Sequence, residues 1–95
     1  MTTQPTWYLY LIRCTNNSLY TGITTDLDRR FAEHQSQGQK CAKYLRGKAP
    51  LELVFTTEVG TKSDASRLEI RLKKCSKATK EKLVKGLIEL ETFLV

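Results

Sequence analysis

"WYLYLIRCTNNSLYTGIT", residues 7–24, holds two apolar, aromatic-rich runs around a polar centre. Residues 7–14 are rich in aromatic and branched side chains and predict a strand. Both faces of that strand are largely apolar, which predicts a central position in a sheet. "TNNS" supplies a turn, because asparagine tolerates the left-handed backbone of tight hairpins. "LYTGIT" is the return strand. Side chains alternate along a strand, so the parity of the loop decides whether Tyr10 and Tyr20 share a face. A two-residue Asn16-Asn17 loop pairs Thr15 with Ser18 and puts the tyrosines on opposite faces. A three-residue loop with an asparagine in the left-handed position puts them on the same one.

Downstream, Thr25 or Asp26 can cap a helix running to about Gln35, with Leu27 and Phe31 on its buried stripe. Arg30 and His34, four apart, share one side of that helix, where both could reach a single phosphate. "SQGQKCAKYLRGKAP" reads as a loop with one short helix at its centre, ended by Pro50, and "LELVFTTE" as a third strand. Ser63 or Asp64 is expected to cap a second long helix. Ala65, Leu68, Leu72 and Cys75 follow the spacing of its buried face, and Arg67, Arg71 and Lys74 fall opposite. Ser76 begins a further helix with Leu83, Val84, Leu87 and Ile88 apolar, and Gly86 argues against its continuity. The order predicts an α/β domain: a three-stranded antiparallel sheet flanked by helices, with a core over 7–85 and a helical tail over 86–95.

The chain has 95 residues, enough for one domain and one core. No apolar run approaches the ~20 residues of a membrane span. The start lacks a basic n-region and a small-residue cleavage site, so no signal peptide is expected. The three cysteines, Cys14, Cys41 and Cys75, are far apart and lack zinc-ligand spacing, which predicts reduced thiols and a cytoplasmic protein. The net charge of +6 favours a polyanionic partner. The charge also clusters: "KCAKYLRGK" contains no acid, and "RLEIRLKKCSKATKEK" only two.

Four features could carry chemistry. Tyr10 and Tyr20 could anchor a core through ring and hydroxyl, or serve a site. Arg30 and His34 could form a solvated helix face or a phosphate contact. Glu69 lies at the edge of a buried stripe, where a carboxylate needs a partner. That partner is either Lys73, one turn on, or a divalent cation suited to hard oxygens.

Taken in order, "YLY" at 8–10, "YTG" at 20–22, Arg30, His34 and Glu69 resemble the GIY-YIG nuclease signature. The resemblance runs from about Trp7 to Lys85. It is closest to small single-domain bacterial members, in which "LYTGITTDLxRR" and a later "LRGK"-like loop are typical. It implies a DNA endonuclease of low sequence specificity that hydrolyses phosphodiester bonds with one divalent ion, Mg2+ or Mn2+. Repair or the processing of structured or damaged DNA is the implied setting. Glu69 would hold the metal. Tyr20 would orient or deprotonate the attacking water, supported by Tyr10. Arg30 would neutralise the scissile phosphate, and His34 would contact it or assist the water. Gly22 matches the motif glycine, expected to let substrate or a neighbouring helix approach. Lys43, Arg46 and Lys48 are expected to meet the DNA backbone. A monomer or weak dimer is expected, with no membrane or small-molecule cofactor.

The chain departs from the signature at Tyr8, where the motif has glycine, and at Leu9 and Thr21, where it has isoleucine. Ile23 stands where some members have lysine, and no asparagine follows Asn17. The missing lysine and asparagine, with the basic loop, support an alternative, a nucleic-acid-binding module with little turnover. A third reading makes the apolar tail "LIELETFLV" a docking or dimer surface.

Overall fold

The structure, a computed structural model, describes residues 4–90. The hairpin pairs β1, Trp7–Arg13, with β2, Leu19–Thr24. The third strand, β3, is Glu52–Gly60, and the sheet order is β2-β1-β3, all antiparallel. Helix α1 (Leu27–Gln35) and a short 3-10 turn at Lys43–Leu45 lie between β2 and β3, and α2 (Lys62–Lys73) and α3 (Lys77–Val84) follow β3. The α/β class, the antiparallel sheet and the order of elements match the expectation.

The doubly apolar character of β1 follows from its central position. Tyr10, Ile12 and Cys14 face one way and pack with Cys41, Leu45 and Leu51, against Tyr20, Leu27 and Phe31. Leu9 and Leu11 face the other way and pack with Leu68, Leu72 and Leu83. The sheet is therefore the middle of three layers. One outer layer is α1 with the 36–51 loop, and the other is α2 with α3.

The hairpin loop has three residues. The Cys14 N–H donates to the Ser18 carbonyl at 2.9 Å, closing a loop of Thr15, Asn16 and Asn17. Asn17 carries the left-handed backbone, with φ of 69°. Asn16 accepts from the Ser18 N–H through Oδ1 at 3.1 Å, which fixes the turn locally. The odd count sets Tyr10 opposite Gly22 and Ile12 opposite Tyr20, so both tyrosines share a face.

Helix boundaries differ from expectation in two places. Thr61, not Ser63 or Asp64, caps α2, its Oγ1 accepting from the Asp64 N–H at 3.1 Å. Strand β3 runs two residues beyond "LELVFTTE" to Gly60, whose φ of 122° turns the chain, so Thr61 is the first residue placed to cap. Asp26 caps α1 and Ser76 caps α3, as anticipated. Gly86 ends α3 rather than merely weakening it. With φ of 74°, it donates to the Leu83 carbonyl, and Leu87 reaches back to Lys82 at 2.9 Å. Residues 86–88, expected as helix, are turn and bend, residue 89 is irregular, and 91–95 lie outside the described residues. Arg13 ties β1 to α3 by a two-pronged pair with Glu81, at 2.6 and 2.7 Å. That pair holds the Glu81 carboxyl down at about 2.

Candidate active site at the edge of the sheet

The three-residue loop brings Tyr10 and Tyr20 to ring centroids 6.4 Å apart. His34 from α1 completes the group, 6.0 Å from Tyr10 and 5.7 Å from Tyr20. Gly22 makes room for it. A Cβ built on Gly22 would collide with Cζ and Oη of Tyr10, while the backbone there needs no left-handed φ. The motif glycine thus admits the tyrosine ring of the neighbouring strand. This corrects the expectation that it opens a path for substrate or a helix.

His34 is fully buried. The Ala42 N–H donates to its Nδ1 at 3.3 Å, so Nδ1 carries no proton. Burial, helped by Arg30, pushes its pKa down to about 4, so the ring is neutral at neutral pH. The single ring proton therefore sits on Nε2, which donates to the Tyr10 oxygen at 2.9 Å. Tyr10 accepts from histidine, leaving its own hydroxyl hydrogen to point elsewhere. The expected contact between His34 and a phosphate does not fit this burial, because both ring nitrogens are occupied inside the core. Residue 34 continues the Leu27–Phe31 stripe, which is why it points inward.

Arg30 is part-exposed. Its Nη1 donates to Glu33 at 2.9 Å and to the Lys40 carbonyl at 2.7 Å. Burial works against the Arg30 charge, but Glu33 and the neighbouring Tyr10 hydroxyl raise its pKa. The guanidinium is thereby anchored beside Tyr10 with one edge toward solvent.

Burial raises the pKa of Tyr20, and Arg30 only partly offsets it. Tyr10 is raised further, first by burial and then by Tyr20. Arg30 pulls both phenols down, but desolvation outweighs that single charge. Glu69 lies on α2 and adds to the upward shift of both tyrosines, so its carboxylate is within electrostatic reach of the pair. Its ion pair is with Lys73 at 3.5 Å. Among the described residues no three His, Cys, Asp or Glu side chains converge as a metal cage. A hard cation would therefore meet at most two such groups and keep its waters, the binding mode Mg2+ favours.

The basic loop divides. Lys48 places Nζ 3.3 Å from the Tyr44 ring centroid. Tyr44 in turn stacks on Tyr20, at 5.8 Å and 26° between planes, so Lys48 is joined to the cluster. Arg46 is spent on the loop itself, donating to the Gly38 and Gln39 carbonyls. Lys43 is exposed on the 3-10 turn. Two residues not singled out in the sequence organise this region. Gln37, at φ of 60°, bonds to the Leu45 carbonyl and the Gly47 N–H. Tyr44 had one sequence signal, an aromatic set between cations in "KYLRGK".

The GIY-YIG catalytic domain model matches residues 6–82. A UPF0213 protein of Cronobacter sakazakii is 55% identical, over 92% of this chain and 90% of its own. A UPF0213 protein of Vibrio cholerae is 54% identical over 90% and 83%. Among solved structures, the solution structure of protein EF2693 from E. faecalis is similar, with a TM-score of 0.60 and 32% identity over 92% of this chain and 91% of that one. The UPF0213 protein BH0048 from Bacillus halodurans gives 0.54 and 44%, over 84% and 83%.

Proposed function

Because the chain belongs to the GIY-YIG catalytic domain family, we propose that it is a divalent-metal-dependent DNA endonuclease of low sequence specificity. The observation that carries this reading is the Tyr10–Tyr20–His34 ring cluster, with Arg30 beside Tyr10 and Glu69 in electrostatic reach. Phosphodiester hydrolysis needs an oriented water and a stabilised phosphoryl charge. Glu69 is the residue to hold a Mg2+ or Mn2+ ion, which when bound supplies Lewis-acid stabilisation of a phosphoryl oxygen. Arg30, locked by Glu33 and the Lys40 carbonyl, presents a fixed positive charge to the phosphate. Tyr20 orients the water and takes its proton. Tyr10, held by neutral His34, supports Tyr20 across the shared face. His34 acts here as a positioning residue.

DNA is bound mainly through phosphates, with Lys43 and Lys48 toward the backbone. The proposed setting is the cytoplasm, in repair or the processing of structured DNA. The free cysteines Cys14, Cys41 and Cys75 support a reducing compartment. Among the described residues no helix is long and apolar enough to cross a membrane.

Purified protein should nick supercoiled DNA with Mg2+ or Mn2+ and not with EDTA. The rate should rise from neutral into alkaline pH, because burial holds the Tyr20 phenol above its usual value. Glu69→Ala and Tyr20→Phe should each remove the nicking, and unchanged cleavage in both would refute the site. A second reading, binding without turnover, draws on the Lys73 pair already occupying Glu69. It predicts salt-sensitive DNA binding that survives Glu69→Ala, with no metal-dependent product.

A further inference from the structure

Beside Tyr20, along the outer edge of β2, lies a cavity of about 350 Å³. Its walls are Leu19, Tyr20, Thr21, Tyr44, Lys73 and Lys80, drawn from β2, the 3-10 turn, α2 and the first turn of α3. That volume lies at the lower end of small-molecule sites. Only Tyr20 among these residues has a role in the reaction proposed above.

Tyr44 is 46% exposed. The 3-10 turn buries Leu45 completely and leaves Tyr44 outside, stacked on Tyr20 with 26° between the planes. Lys48 Nζ lies over the Tyr44 ring, 3.3 Å from its centroid, and Tyr20 stacks on the same ring, so a ligand in the cavity meets the exposed rim of Tyr44 or displaces the ammonium from its face. Lys80 brings a positive charge from the opposite layer, beside Lys73, which is paired with Glu69 at 3.5 Å. Thr21 is 2% exposed, and its Oγ1 is the buried side-chain oxygen without a hydrogen-bond partner among the described residues. A buried hydroxyl left unpaired is costly, and one in the wall of a cavity calls for a polar group brought by a ligand.

We propose that this cavity is a subsite for one unpaired nucleobase of the substrate strand, packed against Tyr44 next to the phosphate that Tyr20 and Arg30 address. The proposal rests on the nuclease reading and names its substrate class. An aromatic face, cations for the flanking phosphates and an unpaired hydroxyl for a base edge are the parts such a subsite needs. A base inside a duplex has both faces covered by its neighbours and its pairing edge in use. It would have to leave the stack to enter. The cleaved nucleotide, or the one beside it, is therefore unpaired: in a single strand, a flap or a bulge.

The test measures binding without metal, so that nothing is cut. A labelled 12-nucleotide single strand of DNA, the same strand in RNA, and a DNA hairpin duplex are titrated with the full chain at one salt concentration. Tyr44→Ala should weaken binding of the DNA single strand roughly 5- to 100-fold, the range of one lost base stack. Tyr44→Trp and Tyr44→Phe should keep the affinity, and the duplex should be unaffected by any of them. In an amide NMR titration with the single strand, Thr21, Tyr44, Lys73 and Lys80 should shift together. Equal loss on single strand and duplex, no loss, or shifts confined to other residues would overturn the subsite. So would a preference confined to the RNA strand. Tyr44-dependent single-strand binding by a protein that never nicks would keep the subsite and remove the nuclease reading. Nicking of single strands that Tyr44→Ala leaves unchanged in KM would do the reverse.

Discussion

A methyl group at Gly22 would occupy the place of the Tyr10 ring. The cross-strand pair of Tyr10 with Gly22 is an aromatic ring laid over a bare backbone on an edge strand, so each residue explains the other. Gly22→Ala should destabilise the fold by about 1–3 kcal/mol through overpacking. It should also cut nicking sharply, because the ring leaves its His34 contact. Adding Tyr10→Val should recover the thermal melt but not the nicking. An unchanged melt in Gly22→Ala would show that the ring lies elsewhere. The pattern of small residue and aromatics was visible in the sequence, but which residue needed the space was not. Contact between residues 10 and 22 depends on strand register.

The hairpin shows the same dependence one scale up. Residues 7–24 mark two strands and a turn by composition alone, yet the site hangs on whether the loop holds two residues or three. Thr15, Asn16 and Asn17 make it three, with Asn17 taking the left-handed position and accepting from Arg13 at 2.9 Å. Asn17→Gly should leave the melt and the nicking nearly intact, because glycine adopts the same φ. Deleting Asn16 should abolish nicking and cost far more stability, since a one-residue change of register moves Tyr20 to the other face. Retention of both properties by the deletion would refute the parity account. At the other end of the chain, composition marked Gly86 as a break, and the bonds it makes show a helix stop instead.

For the molecule as a whole, burial of His34 links stability to acid. Its pKa is about 4 folded against an ordinary 6.5. Between those values the unfolded chain binds the extra proton, so stability falls as pH drops from 6.5 to 4, by roughly 3 kcal/mol in all. Glu81, held at about 2 by Arg13 and Lys77, loses its contribution only at lower pH. Denaturant melts from pH 7 to 4 should show the slope in the wild type and a flatter one in His34→Gln. Equal slopes would mean the ring is not buried neutral. The sequence by itself determined the order of elements, the central apolar strand, the helix faces and the residues of the motif, because periodicity and turn chemistry are local. Only the tertiary structure decided that His34 serves Tyr10 from inside the core, that Gly22 houses a ring, and that Tyr44 stands stacked and half-exposed beside Tyr20. Those facts depend on which side chains from distant segments meet and which lose their water, and neither is set by neighbours along the chain.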